Sequence, residues 1–232
     1  MKTSGPEEKF AVNDQIAGST RAMLRSRGIK TISLVGPPRS GKTELLERTG
    51  SRLASHARVG VLVGSPAAGQ KSTRLGRHGI CALPLPGGEL DAPGVHKAVS
   101  MLDLDQIELL LIEGSGDMQS LSQRNHGQDL CVSVFSVADG PDQPNAFPHL
   151  IAAADLVLLT MVDLLPTTKF DLPAFLDHVK KIRADLPVIQ ASVLRRNGID
   201  LWLQWLETNW LGGRWTDGAA ESRVPPFADL EL

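Results

Sequence analysis

The chain has 232 residues, 42% of them hydrophobic and 22% charged, and a formal net charge of −2. That length and composition suit one α/β domain with a real core, and the near-neutral balance gives no electrostatic reason to expect nucleic acid or an anionic membrane as partner. Cys81 and Cys131 make neither a disulfide framework nor a zinc module; both lie in apolar runs and are expected to be buried.

In chain order, MKTSGPEEKF holds no apolar targeting core, and an amphipathic helix is expected over 11–28. Arg21, Arg25, Arg27 and Lys30 read as a solvated face of that helix and its exit. Strand-like runs follow at 31–36, 59–64, 80–85, 108–113, 130–136, 156–162 and 187–191, with helical spacing at 43–56, 70–78, 92–103, 145–154, 171–185 and 198–208. Near-continuous Val/Ile/Leu strands alternating with helices predict a mostly parallel sheet covered by helices on both faces. The expected organisation is an N-terminal helical segment over 1–30, a nucleotide-binding domain over 31–211, and a Gly-, Pro- and charge-rich tail over 212–232 that is extended or disordered. Trp202 and Trp205, three apart in LWLQWLE, read as core anchors of the last helix. No run reaches the ~18 apolar residues of a membrane span, so the cytoplasm is the expected location and no membrane partner is expected.

One motif carries chemistry. Gly36-Pro37-Pro38-Arg39-Ser40-Gly41-Lys42-Thr43 matches G-x-x-x-x-G-K-[ST], follows an apolar strand and opens a helix at Thr43-Glu44. Glycines in such a loop let the backbone turn tightly around phosphates, and the amides of the loop and helix N-terminus point at anionic oxygens. Lys42 is placed to bridge the terminal phosphates and the Thr43 hydroxyl to ligate Mg2+. Arg39 can add charge to the phosphates, reach across a dimer or face solvent.

Asp163 ends the strand run VLLTMV. Ligands of parallel sheets sit at the carboxyl ends of strands, and a carboxylate there can accept hydrogen bonds from N1 and N2 of guanine, which adenine cannot supply. Its alternative is to cap the LLP turn that follows. Glu113 likewise ends its strand, where it can cap the glycine turn that follows.

With these residues in place, the chain resembles the HypB family, the nickel-incorporation GTPases of hydrogenase and urease maturation. The similarity runs from about Asn13 to Leu206, through Asn13, Ala17, Arg21 and Leu24, the phosphate loop with TELLE, ELDA at 89–92, IEGSGD at 112–117, SVADGPDQP and FP within 136–148, DLVLLTMVDLLP at 155–166 and WLQWL at 202–206. The resemblance implies a P-loop NTPase of the SIMIBI type that binds GTP or GDP with Mg2+, forms a homodimer or pairs with an intact family member, and works with hydrogenase maturation proteins or the hydrogenase large subunit. Lys42 and Glu113 would be its catalytic residues, Thr43 and Glu113 its Mg2+ residues. Ser192 stands where P-loop GTPases set a backbone amide against the base.

The chain also departs from the family. The Asn-Lys-x-Asp base motif is Thr160-Met161-Val162-Asp163; the Gly-Asp after the second strand is Gly64-Ser65; a further acidic position is Lys71. The Cys-His pair and later Cys that hold nickel or zinc fall at Gly88, Glu89 and Ser120, and two lysines of the dimer region fall at Gln143 and Ala146. No transition-metal site is expected at the family positions, because thiolate and imidazole are what select such metals. Glu89, Asp91, His96 and His126 are the remaining candidates. Three functions stay open: a GTPase maturation factor, a nucleotide-binding scaffold or regulator with weak catalysis, and an ATP-using P-loop protein with another cargo.

Overall fold

The computed structural model describes residues 6–65, 67–87, 90–114, 125–195, 198–211 and 227–228. Two compact units share the chain: Met1–Leu34 with Gly50–Leu130, and Val35–Thr49 with Cys131–Leu232.

In the first unit the strands β1 (Lys30–Val35), β2 (Val59–Val63), β3 (Cys81–Pro84) and β4 (Leu109–Glu113) run in the order β3-β2-β4-β1, all parallel. β2 and β4 are buried along their whole length, which is why, apart from Gly60 and the terminal Glu113, they are Val, Ile and Leu rather than alternating. Helix α1 (Pro6–Ser26) turns Ala17, Thr20 and Leu24 inward at helical spacing. It stops at Gly28, whose φ of +72° lets Ile29 N donate back to Leu24 O at 3.0 Å. Helices α3 (Ala68–Gly76) and α4 (Ala92–Val99) follow β2 and β3, and α2 (Lys42–Leu53), which follows β1, has its residues up to Thr49 in the second unit. Asp91 caps α4 by accepting from Gly94 N at 2.8 Å.

The basic face of α1 is more than solvated surface. Arg21 donates to Gln128 O (2.9 Å) and Asn125 Oδ1 (2.5 Å), and Arg25 pairs with the buried Asp129, which also accepts from Thr31 N. Asn13 adds two more bonds, accepting from Ala92 N and donating to Asn125 O. These residues clamp the helix to the segment before the next strand, a purely structural use of positions that the sequence resemblance had flagged.

In the second unit β5 (Leu130–Ser136), β6 (Leu156–Thr160) and β7 (Val188–Gln190) are parallel neighbours. Phe227–Ala228 adds a two-residue parallel strand, β8, beside β7, within the segment expected to lack regular structure. Short helices α5 (Gln143–Ala146) and α6 (Pro148–Ala153), then α7 (Leu172–Ile182) and α8 (Asp200–Leu206), complete it. Phe135 meets Phe175 edge-on with centroids 6.0 Å apart, while Trp202 and Trp205 stack at 5.6 Å, both buried. The two tryptophans are core anchors, as their spacing predicted. Trp202 Nε1 donates to Thr49 Oγ1 at 2.9 Å.

The cysteines correct one expectation. Cys81 is exposed, because β3 is an edge strand whose residues are only partly covered despite their apolar sequence. Cys131 is half-buried, and burial of its thiol, with the Asp155 carboxylate adding to the effect, pushes its pKa up to about 12. A group with so high a pKa is almost wholly protonated at pH 8, with a thiolate fraction of roughly one in ten thousand. Iodoacetamide at pH 8 is therefore expected to label Cys81 alone in the folded chain and both cysteines after denaturation, read as one and two adducts by intact-mass spectrometry.

Candidate nucleotide-binding site

The loop from Gly36 to Thr43 leaves β1 and enters α2, as the motif requires. Gly36 is demanded by close approach: a Cβ there would lie 2.1 Å from the Val134 carbonyl oxygen. Gly41 has φ +81° and would place a Cβ 3.3 Å from Thr160 Oγ1. Arg39 adopts φ 65° without being glycine, an uncommon left-handed conformation that turns the chain between Pro38 and Ser40. Lys42 is buried, and its ammonium donates to Gly36 O (2.9 Å), Pro37 O (2.7 Å) and Ser40 Oγ (3.1 Å). The loop is thus wrapped around a single cation. Thr43 and Glu44 fall in the first turn of α2, with Thr43 buried.

Thr160, at the end of β6, ties this loop down. Its hydroxyl lies 2.7 Å from Ser40 O and 3.0 Å from Phe135 O, and the side chain is buried. Val in its place keeps the shape and loses the donor, leaving two buried carbonyls short of a partner. Thr160→Val is expected to cost about 1–2 kcal/mol, read from the shift in urea midpoint at constant slope.

Met161 follows in the left-handed region at φ 58°. Its sulfur accepts from Ser136 Oγ at 3.2 Å, and its Cε comes within 3.6 Å of where a Gly41 Cβ would stand. The thioether therefore lies along the loop. Two residues on, Asp163 Oδ1 accepts from Ser192 Oγ at 2.5 Å, while Ser192 N donates to Gly198 O at 2.8 Å. The structure brings together the two residues expected at the base end, but as a side-chain pair rather than through the Ser192 amide. Gly198 is fixed by this turn, since a Cβ would sit 2.0 Å from Ser192 O.

One residue of this region escaped the motif search. Asp139 closes the short 3-10 turn after β5, where burial pushes its carboxyl above the usual range while the charges of Lys42 and Arg39 pull it back. The acid thus interacts with both cations of the phosphate loop. The stretch ADGPDQP carried no signal for this beyond its strand-end position.

In the first unit, Glu113 is fully buried and its Oε1 lies 2.5 Å from Lys71 Nζ. This bears on Mg2+. A divalent ion held on that oxygen would sit against a fixed ammonium, and Mg2+ needs hard oxygen ligands in near-octahedral order, so the Glu113 end of the expected Mg2+ set does not fit. Thr43 still offers a hydroxyl. Of the remaining metal candidates, Asp91 is spent on its helix cap and His96 Nδ1 is 2.9 Å from Thr20 Oγ1. Among the described residues no three His, Cys, Asp or Glu side chains gather as a metal site. Gly88, Glu89 and Ser120, where the family metal ligands would fall, lie outside the described residues.

A phosphate loop between a parallel strand and a helix, with a strand-end carboxylate, defines an α/β P-loop nucleotide-binding protein. Residues 30–190 match the CobW/HypB/UreG nucleotide-binding domain. The hydrogenase maturation factor HypB of Escherichia coli K12 is 34% identical over 199 residues, covering 84% of this chain and 69% of that protein. The crystal structure of HypB from Archaeoglobus fulgidus superposes with a TM-score of 0.80 at 26% identity, over 86% of this chain and 99% of that one. The Helicobacter pylori HypB structure in complex with nickel shares the fold, with a TM-score of 0.81 at 21% identity, over 90% of this chain and 99% of that one. The chain belongs to the CobW/HypB/UreG family and, within it, to the HypB hydrogenase maturation factors.

Proposed function

We propose that this chain binds GTP and GDP on the loop 36–43 and serves hydrogenase maturation in the cytoplasm as an accessory factor, with nickel carried by a partner rather than on its own family positions. The observation that supports this best is the Lys42 ammonium, buried among loop oxygens at the mouth of a helix, where a nucleotide's terminal phosphates offer stronger acceptors than carbonyls. Loop amides and the α2 N-terminus supply further donors. Thr160 holds the loop against β6, and Met161 offers an apolar edge beside it. Asp163 supplies the guanine contact, and its pairing with Ser192 sets the carboxylate plane. Partners of the proposed role are other maturation proteins, the hydrogenase large subunit, or a second family member in a dimer. Mg2+, when bound, would neutralise phosphate charge; Thr43 is the residue of this chain suited to hold it.

A second reading, a nucleotide-dependent scaffold with slow turnover, is favoured by one observation: the ammonium on Glu113 Oε1 limits that carboxylate as a base or water-orienting group.

The guanine contact is tested by changing the base and the carboxylate together. Guanine presents donors at N1 and N2; xanthine presents an acceptor at O2, which an amide can serve. Asp163→Asn is expected to lower GTP affinity by roughly 30-fold and to raise XTP affinity by about 10-fold, that is ~2 and ~1.4 kcal/mol. Equal binding of GTP, XTP and ATP by both forms would sink the guanine assignment.

A further inference from the structure

Glu113 ends β4 with its side chain wholly buried, and Lys71 reaches it from α3, Nζ 2.5 Å from Oε1, with the lysine side chain itself 28% exposed. A buried carboxylate must be protonated, paired or bound to a metal. This one is paired, through a charge-assisted hydrogen bond. Its strand neighbours bring no further charge: Glu113 is in register with Val63 of β2 and Leu34 of β1, and its carbonyl accepts from Gly64 N at 2.8 Å. Next to Gly64 stands Ser65, whose buried hydroxyl has no hydrogen-bond partner among the described residues. These two strand ends therefore offer one hydroxyl and one carboxylate, and the carboxylate already holds an ammonium. That is a poor set for a small, hard dication, and Glu113 Oε1 is already matched to the lysine.

We propose that Lys71 is a positioning residue, a tethered cation that balances the charge of Glu113 and keeps a divalent metal off it. Unlike a metal ion, the ammonium cannot dissociate, so the charge on Glu113 is balanced whether or not nucleotide is present.

The test compares the full chain with Lys71→Arg, Lys71→Gln and Lys71→Asp. Thermal melting is followed without nucleotide, in EDTA and in millimolar Mg2+. The wild type and Lys71→Arg are expected to melt alike in both. Lys71→Asp sets a second carboxylate against Glu113; it is expected to melt lower in EDTA and to be restored by Mg2+. Where Lys71→Asp does not fold, Lys71→Gln decides, since Mg2+ should raise its melting temperature and not that of the wild type. A wild type stabilised by Mg2+ alone, or Lys71→Asp and Lys71→Gln chains both indifferent to Mg2+, would overturn the proposal.

Discussion

Lys42→Ala is expected to weaken GTP and GDP binding by about 100-fold or more, a loss of ~3 kcal/mol, consistent with removing charge-assisted hydrogen bonds to phosphate. The variant should still fold. Lys42 Nζ serves Gly36 O, Pro37 O and Ser40 Oγ, so its removal strips the loop of an internal brace, but the carbonyls lie at a site water can enter once the side chain is gone. The stability cost is about 1–2 kcal/mol, the penalty for polar groups that lose one partner and regain solvent. Circular dichroism melting separates this from the binding loss. Affinity unchanged in a folded Lys42→Ala chain would mean that the loop does not hold phosphate.

The largest stability effect falls at Trp202. Its side chain is wholly buried, stacks on Trp205 at 5.6 Å and donates to Thr49, which in turn donates to Leu45 O at 2.7 Å. Trp202→Ala removes the ring contacts, opens a cavity and breaks the link to α2. The expected cost is about 3–5 kcal/mol, a large share of the 5–15 kcal/mol that holds an ordinary domain together. Urea unfolding should show a midpoint lowered with little change in slope. Trp202→Phe, which keeps most of the volume, should recover more than half of the loss; equal damage from both would assign the effect to the indole hydrogen bond rather than to packing.

The strands were legible because burial on both faces writes an apolar run into each, as in residues 109–112 and 156–159. The phosphate loop was legible because its chemistry is local: eight consecutive residues must turn, donate and carry charge. What stayed hidden depends on contacts between residues far apart in the chain. Thr160 reaches Ser40 across 120 positions, and Lys71 meets Glu113 across 42. Nothing in TMVD announces that Thr160 braces the loop, or that Met161 takes a left-handed backbone usually reserved for glycine or asparagine. Cys81 misled for the opposite reason. Its neighbours are apolar, but β3 lies at the edge of its sheet, and edge position is a property of topology that a short window does not carry. Arg21 and Arg25 looked like surface charge until the chain near residue 128 came to meet them.

The most direct measurement is calorimetric titration of the purified wild-type chain with GTP, GDP and ATP in turn. Saturable one-to-one binding of GTP and GDP, at least about tenfold tighter than ATP, is the predicted result, a preference of ~1.4 kcal/mol carried by Asp163. Absence of heat with all three nucleotides, or ATP bound as tightly as GTP, would contradict it.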